Sequence, residues 1–139
     1  MNHLRSVSAK RRKRMSEVKP IRTALIRKAG RCMICGASPK EPSRFGRELS
    51  ELCCHEIANG PCRDKALDKP FAILVLCAYC NGQRVEDKAA WPQSRQLAVL
   101  GSKAPEDYDL SAFNYLVNPN APNRITQEEV DSWREPCET

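Results

Sequence analysis

The chain has 139 residues, of which 29% are charged and only 6% are aromatic, and its formal net charge is +6. This length and composition predict one domain with a small apolar core, in which a bound metal would supplement the apolar contacts. The chain shows no apolar signal segment and no membrane span, so we expect a cytoplasmic protein rather than a secreted, disulfide-bonded one.

The positive charge is concentrated near the amino terminus. Residues 1–31 contain eleven lysines and arginines against the single acidic residue Glu17, whereas the rest of the chain has more acidic than basic residues. We predict that residues 1–19 form a flexible basic arm. The simplest use of such an arm is sequence-independent contact with the phosphates of a nucleic acid. A solvated tail or a targeting signal is the alternative.

A short helix is predicted over residues 20–30. A proline in the first turn and a glycine at the end delimit an apolar side formed by Ile21, Leu25 and Ile26, which is typical of a helix that packs on a core. Residues 36–50 are polar and contain two prolines and two glycines. They predict a loop.

Two strands and a helix are predicted in the centre of the chain. Residues 51–57 indicate a strand, which a turn signal at residues 59–61 ends. The most apolar run, residues 71–76, predicts a buried strand. An Asn-Gly turn then leads to a helix predicted over residues 83–91 and ended by Pro92. The predicted fold class is therefore α+β, with a small hairpin packed against a helix and short flanking helices.

The remainder of the chain predicts further short helices and no chemistry. Helices are expected at residues 93–100 and 110–117, and a capping box at residues 126–129 opens a last helix that runs through Trp133. We expect this part to pack on the core or to contact a partner, and its acidity argues against a second DNA surface. The predicted organisation is a basic arm over residues 1–19, a central domain over residues 20–92 and a helical extension over residues 93–139.

Two Cys-x-x-Cys pairs lie far apart in the chain, Cys32 with Cys35 and Cys77 with Cys80. We call them the first and the second knuckle. Paired cysteines at this spacing are typical of tetrahedral zinc sites, and thiols stay reduced in the cytosol. We therefore expect both knuckles to bind one structural zinc, with disulfides as the alternative. The other cysteines have no partner at ligand spacing and are expected to be buried or surface thiols: Cys53, Cys54, Cys62 and Cys137.

The order of these motifs resembles the HNH endonucleases, in the form whose ββα-metal (His-Me finger) core carries two zinc-binding knuckles. The matching positions extend over residues 31–92 and include His55-Glu56-Ile57 with its turn and Cys80-Asn81. The chain is similar to small HNH proteins of phages and prophages. The resemblance implies hydrolysis of nucleic-acid phosphodiester bonds, with DNA as the expected partner. It also implies a catalytic divalent metal (Mg²⁺, Mn²⁺ or Ni²⁺) besides the zinc, and a phage packaging or defence partner.

The resemblance also implies site residues, for which two registers are open. In the preferred register, His55 is a metal ligand and Glu56 stands in the position of the general base. In the other register, His55 is the base and Cys54 is the ligand. Asn81 matches the second metal ligand, although Asn-Gly is also a common turn or helix-cap pair. Ala72 stands where the family has an asparagine. The alternative function is a catalytically degenerate zinc-binding module that binds nucleic acid.

Overall fold

The computed structural model describes residues 9–38, 52–58 and 60–134. Within these residues, a two-stranded antiparallel sheet is packed between helices, so the fold is a small α+β fold. The elements, in chain order, are helix α1 (Ala9–Ala29), strand β1 (Leu52–Glu56), strand β2 (Ile73–Cys77) and helices α2 (Gln93–Lys103), α3 (Leu110–Val117) and α4 (Gln127–Asp131). Short 3₁₀ segments and one π-helical turn connect them.

The sheet presents its two faces to two different helices. β1 pairs with β2 along its whole length, and alternation along a strand puts His55 on the face opposite to that of Cys54 and Glu56. On the second face, Arg22 of α1 binds Glu56. On the first face, Gln96 of α2 binds His55. The layers are therefore α1, sheet and α2, and both predicted strands are confirmed.

Helix α1 begins at Ala9, eleven residues before the start that the sequence predicts. The flexible arm predicted for residues 1–19 is therefore helical from residue 9 onward, and residues 1–8 lie outside the described part of the chain. Pro20 lies inside the helix instead of in its first turn. Because proline has no backbone N–H, this position lacks one helical hydrogen bond, and contacts with the rest of the protein must stabilise the helix.

Those contacts come from a stripe of residues spaced three and four apart along α1. Arg11 binds the carboxylate of Asp64, and Arg14 Nη2 lies 3.1 Å from Asp68 Oδ1. One turn later, Val18 is only 1% exposed. Because this inward stripe consists mainly of arginines, it has no apolar periodicity. Apolar periodicity therefore could not predict that α1 begins as early as Ala9.

The helix predicted over residues 83–91 is wrong. The second knuckle is followed by a π-helical turn, Cys80–Arg84, and then by non-helical turns up to α2. Val85 and Trp91 are both buried, but residues six apart point about 120° away from each other on an α-helix. In addition, Asp87 Oδ1 accepts a hydrogen bond from the Ala90 N–H at 3.2 Å, which competes with helical bonding.

The helices of the carboxyl-terminal part are confirmed. α2 includes the predicted residues 93–100, α3 has the predicted bounds, and the capping box precedes α4, which ends two residues earlier than expected. Phe113 and Val130 are fully buried, so this part packs on the core as predicted. No helix in the described residues is both long and apolar enough to cross a membrane.

We expect Val18→Ala to lower the free energy of unfolding by about 2 kcal/mol, because it removes two buried methyl groups and leaves a cavity. Ile21→Ala on the same helix is the control, since Ile21 is 39% exposed and should lose less than half as much. Urea unfolding at a fixed zinc concentration measures both losses. Equal losses would mean that this part of α1 is not packed on the sheet.

Candidate metal centre and adjoining cavity

The two knuckles come together at the end of β2, as the sequence predicts. The sulfur atoms of Cys32, Cys35, Cys77 and Cys80 all lie within 4.8 Å of one another, and those of Cys35 and Cys77 are 3.7 Å apart. Four sulfurs at about 2.3 Å from a tetrahedral zinc are separated by about 3.8 Å. These four cysteines could therefore hold a metal ion, and their spacing is compatible with structural zinc.

Backbone hydrogen bonds shape both knuckles. In each, the N–H of the second cysteine donates to the sulfur of the first at 3.5 Å. The Met33 N–H donates to Val75 O at 2.9 Å and ties the first knuckle to β2. Gly36 follows with φ of 79°, a conformation that glycine adopts readily. Hydrogen bonding from the Cys80 thiol lowers the pKa of Cys32, which favours the thiolate form that binds metals.

The remaining described cysteines are half-buried free thiols, as predicted. Each donates a long hydrogen bond to a backbone carbonyl: Cys53 to Leu76 O, Cys54 to Arg22 O and Cys62 to Val117 O. Burial raises the pKa of Cys53 and of Cys54. Cys54 is thus a neutral thiol that donates a hydrogen bond to a backbone carbonyl, and this state does not favour it as a metal ligand. Cys137 lies outside the described residues.

A cavity of about 440 Å³ brings together the three predicted catalytic residues, His55, Glu56 and Asn81. Cationic side chains and a further carboxylate also line this cavity, which we call the histidine cavity: Arg11, Arg63, Lys88 and Glu86. A positively charged wall around a histidine suits a phosphate group. Sequence reasoning missed Glu86 because it lies in the segment that was predicted to be helical.

The imidazole of His55 has a fixed orientation. Its Nε2 lies 2.9 Å from Gln96 Oε1, while Gln96 Nε2 donates to Trp91 O at 2.9 Å. Because Trp91 O can only accept, the amide oxygen of Gln96 faces the imidazole, and His55 Nε2 must carry the proton. Burial lowers the pKa of His55, which favours a neutral ring with an unprotonated Nδ1. Gln96 is 1% exposed, and no sequence pattern singled it out.

Glu56 is held between two arginines. Arg22 Nη2 donates to Oε2 and Arg63 Nη2 donates to Oε1, both at 2.8 Å, and the glutamate side chain is only 8% exposed. Burial raises the pKa of Glu56, but the hydrogen bonds from Arg63 and Arg22 outweigh this effect and the pKa lies below its ordinary value. A carboxylate with both oxygens occupied is a poor general base. The geometry therefore favours a structural role for Glu56 over the role of a base.

Asn81 lies in the π-helical turn after the second knuckle. Burial raises the pKa of Cys53, and the side chain of Asn81 opposes this effect slightly. The amide oxygen of an asparagine side chain can accept a hydrogen bond or bind a cation. Among the described residues, the four knuckle cysteines are the only group of three or more His, Cys, Asp or Glu placed to hold a metal. A second metal would therefore need Asn81 or water among its ligands.

A basic groove of about 560 Å³ lies beside the histidine cavity, between the first half of α1 and the 3₁₀ segment Gly60–Ala66. Five cationic side chains and two carboxylates line it: Lys10, Arg11, Lys13, Arg14, Lys65, Glu17 and Asp64. Arg11 also lines the histidine cavity, so the positive surface is continuous between the two.

No protein-family model, curated protein or solved structure matches the chain. The case for a function therefore comes from the site and from the sequence motifs.

We expect Cys77→Ser to lose bound zinc and to unfold at a much lower temperature, because structural zinc sites contribute roughly 10 kcal/mol to folding. Cys62→Ser is the matched control, since Cys62 lies outside the cluster and should keep one zinc per chain. Metal analysis and thermal melting measure both effects. A Cys77→Ser protein with unchanged zinc content and melting would show that the cluster is not a metal site.

We expect Glu56→Gln to lower the free energy of unfolding by about 2 kcal/mol at pH 7, since it removes charge-assisted hydrogen bonds to two arginines. Folding lowers the pKa of Glu56. The stabilisation is therefore complete above the unfolded-state pKa of about 4.3 and is lost as pH falls through the folded-state value. The difference in the free energy of unfolding between the wild type and Glu56→Gln should therefore become smaller below about pH 4. Glu17→Gln, at an exposed position, is the control. A difference that does not change with pH would contradict this account.

Proposed function

We propose that this protein is a metal-dependent endonuclease of the HNH type that hydrolyses phosphodiester bonds in DNA. The observation that supports this most strongly is the neutral, hydrogen-bonded His55 in a cavity lined by three cations. The resemblance of the cysteine and histidine motifs to the family supports it independently. In the proposed fold, α2 packs on the sheet in place of the helix that was expected directly after the second knuckle.

In the proposed reaction, His55 acts as the general base. Its Nε2–H is held by Gln96, so that Nδ1 is available to take a proton from the attacking water. Arg11, Arg63 and Lys88 line the same cavity and would bind the phosphate oxygens, where they stabilise the charge that develops during attack. This assignment takes the register in which His55 is the base, because Glu56 is neutralised by its two arginines.

We propose that a catalytic divalent cation would bind in the histidine cavity. Asn81 and Glu86 line this cavity, and their side-chain oxygens are of the kind that Mg²⁺ and Mn²⁺ prefer. Glu86 forms no ion pair within the described residues. When bound there, the cation would polarise the scissile phosphate as a Lewis acid. The proposed ligands thus include Asn81, as the family resemblance implies, with Glu86 in the place of a residue beside His55.

A structural zinc in the cysteine cluster would stabilise the two strands next to the proposed site. The cluster includes the last residue of β2 and ties the first knuckle to that strand. Because β1 pairs with β2, the zinc would fix the strand that carries His55.

The basic groove would hold the DNA backbone next to this site. Lys10 and Lys13 are exposed and form no ion pair within the described residues, and Arg11 joins the groove to the histidine cavity. Contacts of this kind are sequence-independent and weaken as the salt concentration rises.

We expect plasmid DNA to be cleaved in the presence of Mg²⁺, Mn²⁺ or Ni²⁺, and His55→Ala to reduce the rate at least 100-fold, as for loss of a general base. The variant should keep its zinc content, its melting temperature and the salt dependence of DNA binding. His3→Ala is the matched control, because His3 is the other of the two histidines in the chain. Gel analysis of supercoiled plasmid measures the rate.

The outcomes separate two functions. Cleavage retained by His55→Ala would overturn the proposed mechanism. DNA binding by the wild-type protein without cleavage under any of the three metals would instead identify a degenerate HNH scaffold that only binds nucleic acid. The occupation of Glu56 by two arginines is the observation that favours this second function.

A further inference from the structure

A second cavity, of about 530 Å³, lies away from His55 between α2, the first knuckle and the residues that follow α4. Both tryptophans of the chain line it. We call it the tryptophan cavity. Besides these rings, its lining includes three cations and part of the first knuckle: Arg95, Lys103, Arg134, Met33 and Ile34.

The aromatic rings of this cavity are held in place before any ligand binds. The guanidinium carbon of Arg95 lies 3.7 Å from the ring centroid of Trp91 and 5.2 Å from that of Trp133. The same guanidinium donates to Ala90 O at 2.7 Å, and Trp133 Nε1 donates to Ser94 Oγ at 2.9 Å. Trp133 nevertheless remains 41% exposed. It therefore offers a fixed and accessible aromatic surface, which lowers the entropic cost of binding.

The charged side chains that line this cavity are cationic. Within residues 9–38, 52–58 and 60–134, no aspartate or glutamate lines it. Lys103 is exposed and makes no ion pair within the described residues. Arg134 contacts Asp131 only at 3.6 Å, and its side chain is half exposed. Cations beside an exposed indole match a ligand that combines negative charge with flat rings.

Unpaired nucleotides have this combination, since their phosphates are anionic and their bases can stack on aromatic side chains. The bases of a duplex are already stacked and paired, so a duplex would supply only its phosphates. An acidic peptide would supply charge without a ring to stack on Trp133. The chemistry of the cavity therefore favours single-stranded nucleic acid over both.

We propose that the tryptophan cavity binds unpaired nucleotides, with a base stacked on Trp133 and phosphates on Lys103 and Arg134. This rests on the proposed function for the nature of the partner, and it deepens that function by adding a single-stranded segment to the substrate. The proposal departs from the sequence-based expectation that the acidity of the carboxyl-terminal part argues against a second DNA surface, because three cations of the described residues line the cavity beside the two rings.

The two cavities are connected through α2. Gln96 hydrogen-bonds both His55 and the backbone of Trp91. A single buried side chain therefore links a residue of the histidine cavity to a residue of the tryptophan cavity.

Intrinsic fluorescence tests the proposal directly, because the only two tryptophans of the chain both line this cavity. The probe is an eight-nucleotide oligothymidylate, added to the zinc-loaded full-length protein without other divalent metals. We expect quenching at lower concentrations than with a duplex of eight base pairs. An oligoglutamate peptide of eight residues should quench little.

Variants locate the binding. With a labelled oligothymidylate, anisotropy should show an affinity at least five-fold lower for Trp133→Leu, as expected for loss of one base stack. Lys103→Glu changes only an exposed residue and should weaken binding by a similar factor. Tyr115→Leu is the control, since Tyr115 is an aromatic residue on α3 that is 81% exposed, and it should bind like the wild type.

The proposal is overturned if oligothymidylate causes no quenching, if Lys103→Glu binds as the wild type does, or if the acidic peptide competes equally. Its failure can be distinguished from failure of the nuclease, because His55→Ala should be quenched like the wild type. Quenching without plasmid cleavage would support nucleotide binding in the tryptophan cavity and contradict the proposed nuclease activity. Cleavage without quenching would support the nuclease activity and contradict nucleotide binding in this cavity.

Discussion

The four sulfurs at the end of β2 are the constraint on which the rest of the fold depends. A two-stranded sheet alone is marginally stable in water, and a chain with 6% aromatic residues has little apolar surface with which to support one. The cluster joins β2 to the first knuckle, 42 residues earlier, through Cys35 and Cys77. β1 pairs with β2 along its whole length, so the cluster also helps to position the strand that carries His55, together with the contacts of β1 with α1 and α2.

The second constraint is the buried Glu56 carboxylate. Its two arginines come from α1 and from the 3₁₀ segment that follows β1. The Glu56 side chain therefore holds the basic helix α1 against the strand that carries His55. A buried charge of this kind is costly unless it is paired. Here the pairing neutralises the carboxylate beside His55, and an anionic phosphate entering the cavity would therefore meet less repulsion. The residue that the family resemblance placed as a base thus supports the site in another way.

Local signals predicted the strands, the knuckles and the carboxyl-terminal helices, because alternation, paired cysteines and a capping box are each encoded within a few residues. What the sequence could not show depends on partners far along the chain. The first half of α1 packs through Arg14 against Asp68, which leaves no apolar stripe to detect. The helix expected after the second knuckle is prevented by the joint burial of Val85 and Trp91. The role of Gln96 exists only because His55, 41 residues away, lies against it.

Helix α2 is the element that gives the proposed functions a common geometry. Its buried Gln96 sets the tautomer of His55 on one side, while Arg95, the residue before it, lies against both tryptophans. Neighbouring residues on an α-helix point about 100° apart, so one turn of α2 serves two cavities. The basic groove approaches the histidine cavity from α1, on the other face of the sheet. Arg11 lines both the groove and the histidine cavity, so a DNA backbone bound in the groove would lie next to the proposed catalytic histidine, and α2 would hold that histidine in the tautomer that can accept a proton at Nδ1.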